Sequence, residues 1–245
     1  MRTVAPTLPG TFLGAVAVLV AAYLIGSIPW AYIIVRRVTG EDITTHGTGN
    51  VGAMNVRRTT GSWGWFVVAM LADAAKGLVP VLLAKWLIGG LVLSWLAAPW
   101  GMTLSSGLFT GPLAPLAWYP PLAVAGAVFG HNYSLWLGIR CGRLTRTGKG
   151  LATGGGALLA YDWRYCLAVV VIGVATIAIT RYMMAGQVAA AFTLPVTALV
   201  LHSPDWPFAL AMGLVVYAAH HKRFVGLLKG KEPKLYIEDR MGPRG

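Results

Sequence analysis

The polar positions of this chain are gathered into short bursts, and the stretches between them are apolar on every face. A block that is hydrophobic all round, without an amphipathic stripe, marks a helix surrounded by lipid or by other helices. Roughly 20 such residues cross a bilayer. Residues 11–35 form the first block, closed by Arg36 and Arg37, and residues 63–87 the second, interrupted by Asp73 and Lys76. Residues 86–139 carry no charged side chain. Their second half, 116–137, is long enough to cross. In the first half Gly89, Gly90, Pro99, Gly101, Gly107, Gly111, Pro112 and Pro115 predict an irregular loop at the membrane surface. Residues 151–161 are short for a crossing and predict either a half-helix or a tightly packed short span. Blocks at 165–180, 184–201 and 206–219 follow. The pattern predicts an all-α polytopic membrane protein with seven transmembrane helices. It reads as one integral membrane domain over 1–245, with a charged tail at 231–245.

Composition sharpens this picture. Charged residues make up 11% of the chain, where a soluble domain carries roughly 25%, so a water-soluble globule is excluded for want of surface charge. The excess of 20 Lys+Arg over 8 Asp+Glu therefore belongs to loops and not to a nucleic-acid surface. With the N-terminus outside and seven crossings, Arg36, Arg37, Arg57, Arg58, Arg140, Arg143, Arg146, Lys149, Arg181, Lys222, Arg223 and the tail cations all fall inside. Only Arg2, Lys85 and Arg164 fall outside. The positive-inside rule then predicts an outside N-terminus and a cytoplasmic C-terminus. Trp95, Trp100, Trp118, Trp163 and Trp206 lie near the expected outer interface, as an aromatic belt would. Only Arg2 precedes the first block, which reads as a retained span and not a signal peptide. Cys141 and Cys166 have neither disulfide-framework nor metal spacing, and no metal is expected.

Three inward segments are polar, basic and rich in glycine. In the first, His46-Gly47-Thr48-Gly49-Asn50-Val51-Gly52-Ala53-Met54-Asn55-Val56-Arg57-Arg58, a G-x-G-x-x-G string occurs without the strand and βαβ unit that a dinucleotide site needs. Its glycines still let backbone N–H groups converge on an anion; the same glycines also suit a plain tight turn. The second runs from Gly130-His131-Asn132 to Gly148-Lys149-Gly150-Leu151-Ala152-Thr153. Five residues separate its glycines and Gly150 stands where a P-loop has Ser or Thr, so it is not an NTPase loop. A lysine beside a helix N-terminus remains a phosphate site. Positive-inside charge accounts for Arg140, Arg143 and Arg146 equally well, and His131 taken alone reads as a packed or interfacial histidine. The third holds His220-His221-Lys222-Arg223 and Gly230-Lys231-Glu232, which also fits a cationic anchor. Asp73 and Lys76 share one helix face, and both a structural ion pair and a functional pair fit them. Together the segments make a donor-rich cytoplasmic pocket for a phosphorylated substrate, with apolar walls able to admit a lipid chain.

Taken in order, Gly26-Ser27-Ile28-Pro29, the segment 46–58, Asp73-x-x-Lys76-Gly77, Gly130-His131, Gly148-Lys149-Gly150-x-Ala152-Thr153, His220 and Gly230-x-Glu232 resemble the bacterial acyl-phosphate:glycerol-3-phosphate acyltransferase (PlsY) family over residues 26–236. The resemblance implies a seven-helix fold in the bacterial inner membrane with its motifs at the cytoplasmic face. It also implies transfer of a fatty acyl group from acyl phosphate to the 1-hydroxyl of glycerol 3-phosphate, giving lysophosphatidic acid and phosphate. No cofactor, acyl-CoA or acyl carrier protein is implied as direct donor. Carried over by residue, Thr48, Gly49, Asn50, Asn55, Arg58, Gly148, Lys149, Gly150 and Thr153 hold substrate phosphates. His220 and Lys149 are the catalytic pair, and His46, Asp73, Lys76, His131 and Glu232 support them. The family pattern S-G-S-G-N-x-G-A-T-N-V-x-R is altered at His46, Thr48 and Met54; Ala219, Arg223 and Gly226 replace family polar residues in the last segment, and 143–147 reads as an insertion. The alternatives are an organic-phosphate transporter and a non-catalytic lipid-binding paralogue.

Overall fold

A computed structural model of the chain describes residues 8–87 and 118–231. The irregular loop expected within 89–115 and the tail beyond Lys231 lie outside the described residues. Every regular element among the described residues is helical. In chain order these are α1 (Leu8–Gly26), α2 (Trp30–Thr39), a 3-10 turn (Ile43–Thr45), α3 (Ala53–Thr60), α4 (Trp63–Leu87), α5 (Tyr119–Asn132), α6 (Leu135–Cys141), α7 (Leu151–Tyr161), α8 (Trp163–Thr180), α9 (Met183–Val200) and α10 (Trp206–Leu228). Five spans are long and apolar enough to cross a membrane: Phe12–Thr39, Trp63–Leu87, Tyr119–Cys141, Trp163–Thr180 and Met183–Val200. Leu151–Tyr161 and Trp206–Ala218 are apolar but shorter. The protein is a multi-pass membrane protein. Contacts divide it into two compact units, Met1–Cys166 and Leu167–Gly245.

In the first unit, the span read from sequence as one block is broken. Pro29 has no N–H to give and its ring excludes a continuous helix, so α1 stops at Gly26 and α2 starts at Trp30. The break exposes backbone carbonyls at membrane depth, where each needs a donor. Ser134 Oγ donates to the Ser27 carbonyl at 2.5 Å, and Lys76 Nζ donates to the Ile28 carbonyl at 2.8 Å. Arg36 and Arg37 end α2, which closes on Gly40 at φ 76°.

Small residues set the helix spacing. α1 packs against α5, and α4 against α7. A side chain at Gly26 would strike the backbone of Ala127, and one at Gly130 the backbone of Tyr23 and Ser27. On the other seam, a side chain at Gly77 would strike the Thr153 carbonyl, and one at Gly156 the Ala74 carbonyl. Without a hydrophobic drive between helices in lipid, such backbone-to-backbone contact is what holds them. The segment 151–161 forms a helix, compatible with both of its sequence readings. At 11 residues α7 is about 16 Å long, and it is a short helix packed tightly on α4. Its C-terminus is closed by Lys85, whose Nζ donates to the Tyr161 carbonyl at 2.6 Å.

Within the second unit α9 lies against α10. Gly213 of α10 meets the Ala191 carbonyl, and Phe192, Tyr217 and Phe224 stack edge to face or tilted. α10 runs on past the apolar block at 206–219 to Leu228.

The α4–α7 seam makes a prediction. Gly156→Leu should destabilise the protein by about 1–3 kcal/mol through overpacking. Gly155→Ala should leave stability unchanged or raise it by up to about 1 kcal/mol, because a methyl there meets nothing. Thermal unfolding of both variants in one detergent checks this.

Candidate active site

Two loops at one end of the first unit carry the sequence-predicted polar residues. The first begins at the 3-10 turn. Asp42 caps it, accepting from Thr44 N at 2.9 Å and Thr44 Oγ1 at 2.6 Å. Partial burial pushes the Asp42 carboxyl up, but the two Thr44 hydrogen bonds, with the Arg140 and Arg36 cations, outweigh it and hold the carboxyl below its ordinary value. His46 is held by its own loop: Nε2 lies 3.2 Å from Glu41 Oε2, and Nδ1 is within 2.9 Å of the Asp42 carbonyl.

The chain then turns through Gly47 and Gly49, at φ 56° and 67°, conformations open to glycine but strained for most residues. Asn55 sits inside this turn, 1% exposed. Its Nδ2 donates to the carbonyls of Ile43 at 3.2 Å and His46 at 3.0 Å, and its Oδ1 accepts from Thr48 N at 3.4 Å. The Asn55 amide is therefore spent on the shape of the loop. Thr48 and Arg58 are exposed; Gly49 and Asn50 are half-buried. Arg57 is engaged elsewhere, with its guanidinium 3.8 Å over the Trp63 ring.

The second loop joins α6 to α7. Its Thr147 is 8% exposed and ties three segments together. Thr147 N donates to the Asn132 carbonyl at 2.8 Å and Thr147 Oγ1 to the His131 carbonyl at 2.9 Å. Its own carbonyl accepts from Val51 N of the first loop at 2.7 Å. This last bond joins the two Gly-rich segments. Of the expected insertion at 143–147, Arg143, Leu144 and Thr145 are exposed, while Arg146 Nε donates back to the Gly148 carbonyl at 3.2 Å.

Gly148 and Gly150 are buried and Lys149 half-buried. Gly150, at φ 73°, is the N-cap of α7 and offers no side chain to its free N–H groups. Thr153, on the first turn of α7, is fully buried, and its hydroxyl has no hydrogen-bond partner among the described residues. The same holds for Oδ1 of Asn132, which stands 3.2 Å from where a Gly150 methyl would sit.

Behind the second loop lies a buried charge cluster. Asp73 is 2% exposed, Lys76 5% and His131 7%. Asp73 Oδ1 is 2.9 Å from Lys76 Nζ and 3.7 Å from His131 Nδ1. On its far side the His131 ring meets Gly148, where a methyl would overlap Nε2. Asp73 and Lys76 are ion-paired, and the His131 ring lies against the same carboxylate, its Nδ1 beyond hydrogen-bond distance. The sequence motifs place His131 among the supporting residues without giving it a partner, and they miss Thr147 and Ser134. The signal lay in Ile28-Pro29: a proline break in a span strands a carbonyl, and the intramembrane Lys76 is its donor. His220 lies on α10 in the second unit, but its side chain is outside the described residues, as is Glu232.

A family model described as glycerol-3-phosphate acyltransferase matches residues 16–230. The chain belongs to the glycerol-3-phosphate acyltransferase family. Relatives of that name include one from Synechococcus sp. (strain JA-3-3Ab), 35% identical over 226 residues, covering 91% of this chain and 95% of the relative. Another, from Thermus thermophilus, is 34% identical over 229 residues, covering 90% of this chain and 95% of the relative. Crystal structures of PlsY, an integral membrane glycerol 3-phosphate acyltransferase, in glycerol 3-phosphate and lysophosphatidic acid forms each align with a TM-score of 0.67 and 25% identity. They cover 90% of this chain and 95% of that chain. The glycerol-3-phosphate acyltransferase family is the one that the sequence motifs resemble.

The Asp42 cap carries a pH prediction. A carboxyl held below its unfolded value contributes order that is full above about pH 5 and fades as pH falls through the lowered value. Amide exchange in peptides covering 41–49 should be faster in Asp42→Ala than in the wild type at neutral pH. The two should converge only below about pH 4. Equal exchange at neutral pH overturns the capping role.

Proposed function

We infer that this chain is a membrane acyltransferase that moves a fatty acyl group from acyl phosphate to the 1-hydroxyl of glycerol 3-phosphate, releasing lysophosphatidic acid and phosphate. The observation that carries the reading is the Val51–Thr147 bond, which brings both Gly-rich segments of a family-matched chain to one place. Seven crossings with an outside N-terminus put that place at the cytoplasmic face of a bacterial inner membrane, the arrangement that the loop cations favour. The five long spans, the tightly packed α7 and the apolar part of α10 supply seven helices for it.

The chemistry asks little beyond position and charge. Acyl phosphate is a mixed anhydride, already activated. The acceptor hydroxyl oxygen attacks the carbonyl carbon, and the carbon–oxygen bond to phosphate breaks. Phosphate leaves with the electron pair, and the hydroxyl proton goes to a base. Holding both phosphates in one donor-rich place supplies proximity and neutralises the leaving group. Thr48, Gly49, Asn50 and Arg58 from the first loop, with Gly148, Lys149 and Gly150 from the second, hold the phosphates. The unpartnered Thr153 hydroxyl and the free N–H groups of α7 support an anion there. Asn55 keeps the first loop in shape and acts through it. The motif resemblance assigns His220 either to take that proton or to orient the hydroxyl. An apolar groove lined by Ile25, Ile28, Trp30, Ala72, Ala75 and Val79, with Lys76 beside it, suits the acyl chain.

Purified protein in lipid, given palmitoyl phosphate, should release phosphate only when glycerol 3-phosphate is present, with lysophosphatidic acid formed. Lys149→Ala should lower that rate by about 100-fold without changing the unfolding temperature. A near-normal rate removes Lys149 from the reaction. Absence of release by folded wild type, with glycerol 3-phosphate still bound, favours a non-catalytic binder. Accumulation of organic phosphate inside sealed vesicles favours a transporter.

A further inference from the structure

Charges in the apolar interior of a membrane protein are costly and are retained for a reason. Ion pairing alone is a weak one, because well-packed apolar residues of similar volume hold a protein as well or better. What distinguishes this cluster is where its partners lead. Lys76 reaches the Ile28 carbonyl at the break in the first span. Asp73 faces His131 Nδ1. The opposite edge of the same imidazole, at Nε2 and Cδ2, is the surface against which Gly148 is laid, close enough to exclude any side chain. The His131 carbonyl takes the Thr147 hydroxyl, and Thr147 in turn holds Val51. From the buried carboxylate the neighbours lead through the ring to both loops, the carboxylate and Nδ1 standing 3.7 Å apart, longer than a hydrogen bond. Lys149 and the first turn of α7 are the next residues along the chain.

We propose that Asp73, Lys76 and His131 are positioning residues for the acyl transfer: the ion pair fixes the His131 ring, and the ring is the backstop that sets the position of Gly148, Lys149 and Gly150. This rests on the phosphate-holding role of that loop given above. All three act through the loop, and Lys76 also lines the groove given above to the acyl chain. The flat ring explains why the residue facing Gly148 is an imidazole. It offers one edge to the carboxylate and the other to a backbone, whereas an aliphatic side chain offers neither the polarity nor the thin profile. Gly148 is the complementary half of the contact.

Two measurements test the proposal, one of them independent of turnover. In His131→Leu, and separately in Gly148→Ala, amide exchange in peptides covering 142–154 should rise about tenfold, with exchange in α8 to α10 unchanged. The activity readout is a double-mutant cycle. His131→Leu should lower kcat/KM about tenfold in the wild-type background and less than about twofold beside Lys149→Ala. His131→Asn, which can still face Asp73 but lacks the ring edge that meets Gly148, should lose about as much as His131→Leu. A merely structural role would cost the same in both backgrounds, and that result overturns the proposal. Wild-type exchange at 142–154 in the folded variants overturns it too, whether or not the wild type transfers acyl groups. A silent wild type whose variants show the local rise would leave the backstop standing and remove the acyltransferase reading.

Discussion

The buried Asp73–Lys76 pair is the interaction on which the rest of the first unit depends. Neither charge tolerates membrane depth alone. Removing one partner from such a pair costs about 3–5 kcal/mol, because the other is then left desolvated and unmatched. Separate segments are brought to the pair: the break after α1, which supplies the Ile28 carbonyl to Lys76, and α5, which lays the His131 ring beside Asp73 at 3.7 Å. The polar break in the first span and the polar end of α5 are thus held together by one electrostatic demand. Each would be a liability without the other, since the break strands carbonyls that only buried donors can satisfy.

Glycine makes this meeting geometrically possible. Where α1 meets α5 and α4 meets α7, the helices approach until backbone touches backbone. That closeness lets an 11-residue helix be held firmly although it is short of a bilayer's thickness. It also brings the α7 N-terminus alongside Asn132 and His131, where a helix spaced by larger side chains would stand too far off. The same residue type serves a different end in the first loop, where Gly47 and Gly49 turn the chain around the Asn55 amide.

The site therefore has a soft outer layer and a hard inner one. Thr48, Arg58 and the exposed part of the 142–146 loop face outward, while Asn55, Thr147, Thr153 and His131 are buried beneath them. The departures from the family pattern at His46, Thr48 and Met54 fall in the outer layer or in the loop's own local bonding.

Much of this was legible along the chain. Apolar blocks and the placement of cations are local properties, so the helices and the basic character of their connections follow from composition alone. The break in the first span was not read from the chain, since an apolar block conceals it, although Pro29 is its cause. Tertiary structure decided the rest. An ion pair three residues apart on one helix is compatible with either a packing or a functional role until its neighbours are known, and His131 is 55 residues or more from both partners. Asn55 carries the same amide whether it grips a ligand or a loop; only the positions of the Ile43 and His46 carbonyls choose between them. Thr147 shows no motif at all, and its importance comes from three backbone groups that converge on it in space. Residue type dictated which segments had to be buried and which had to be solvated. Which polar group answers which was decided by packing, because a hydrogen bond or ion pair is made to whatever the fold brings within about 3 Å.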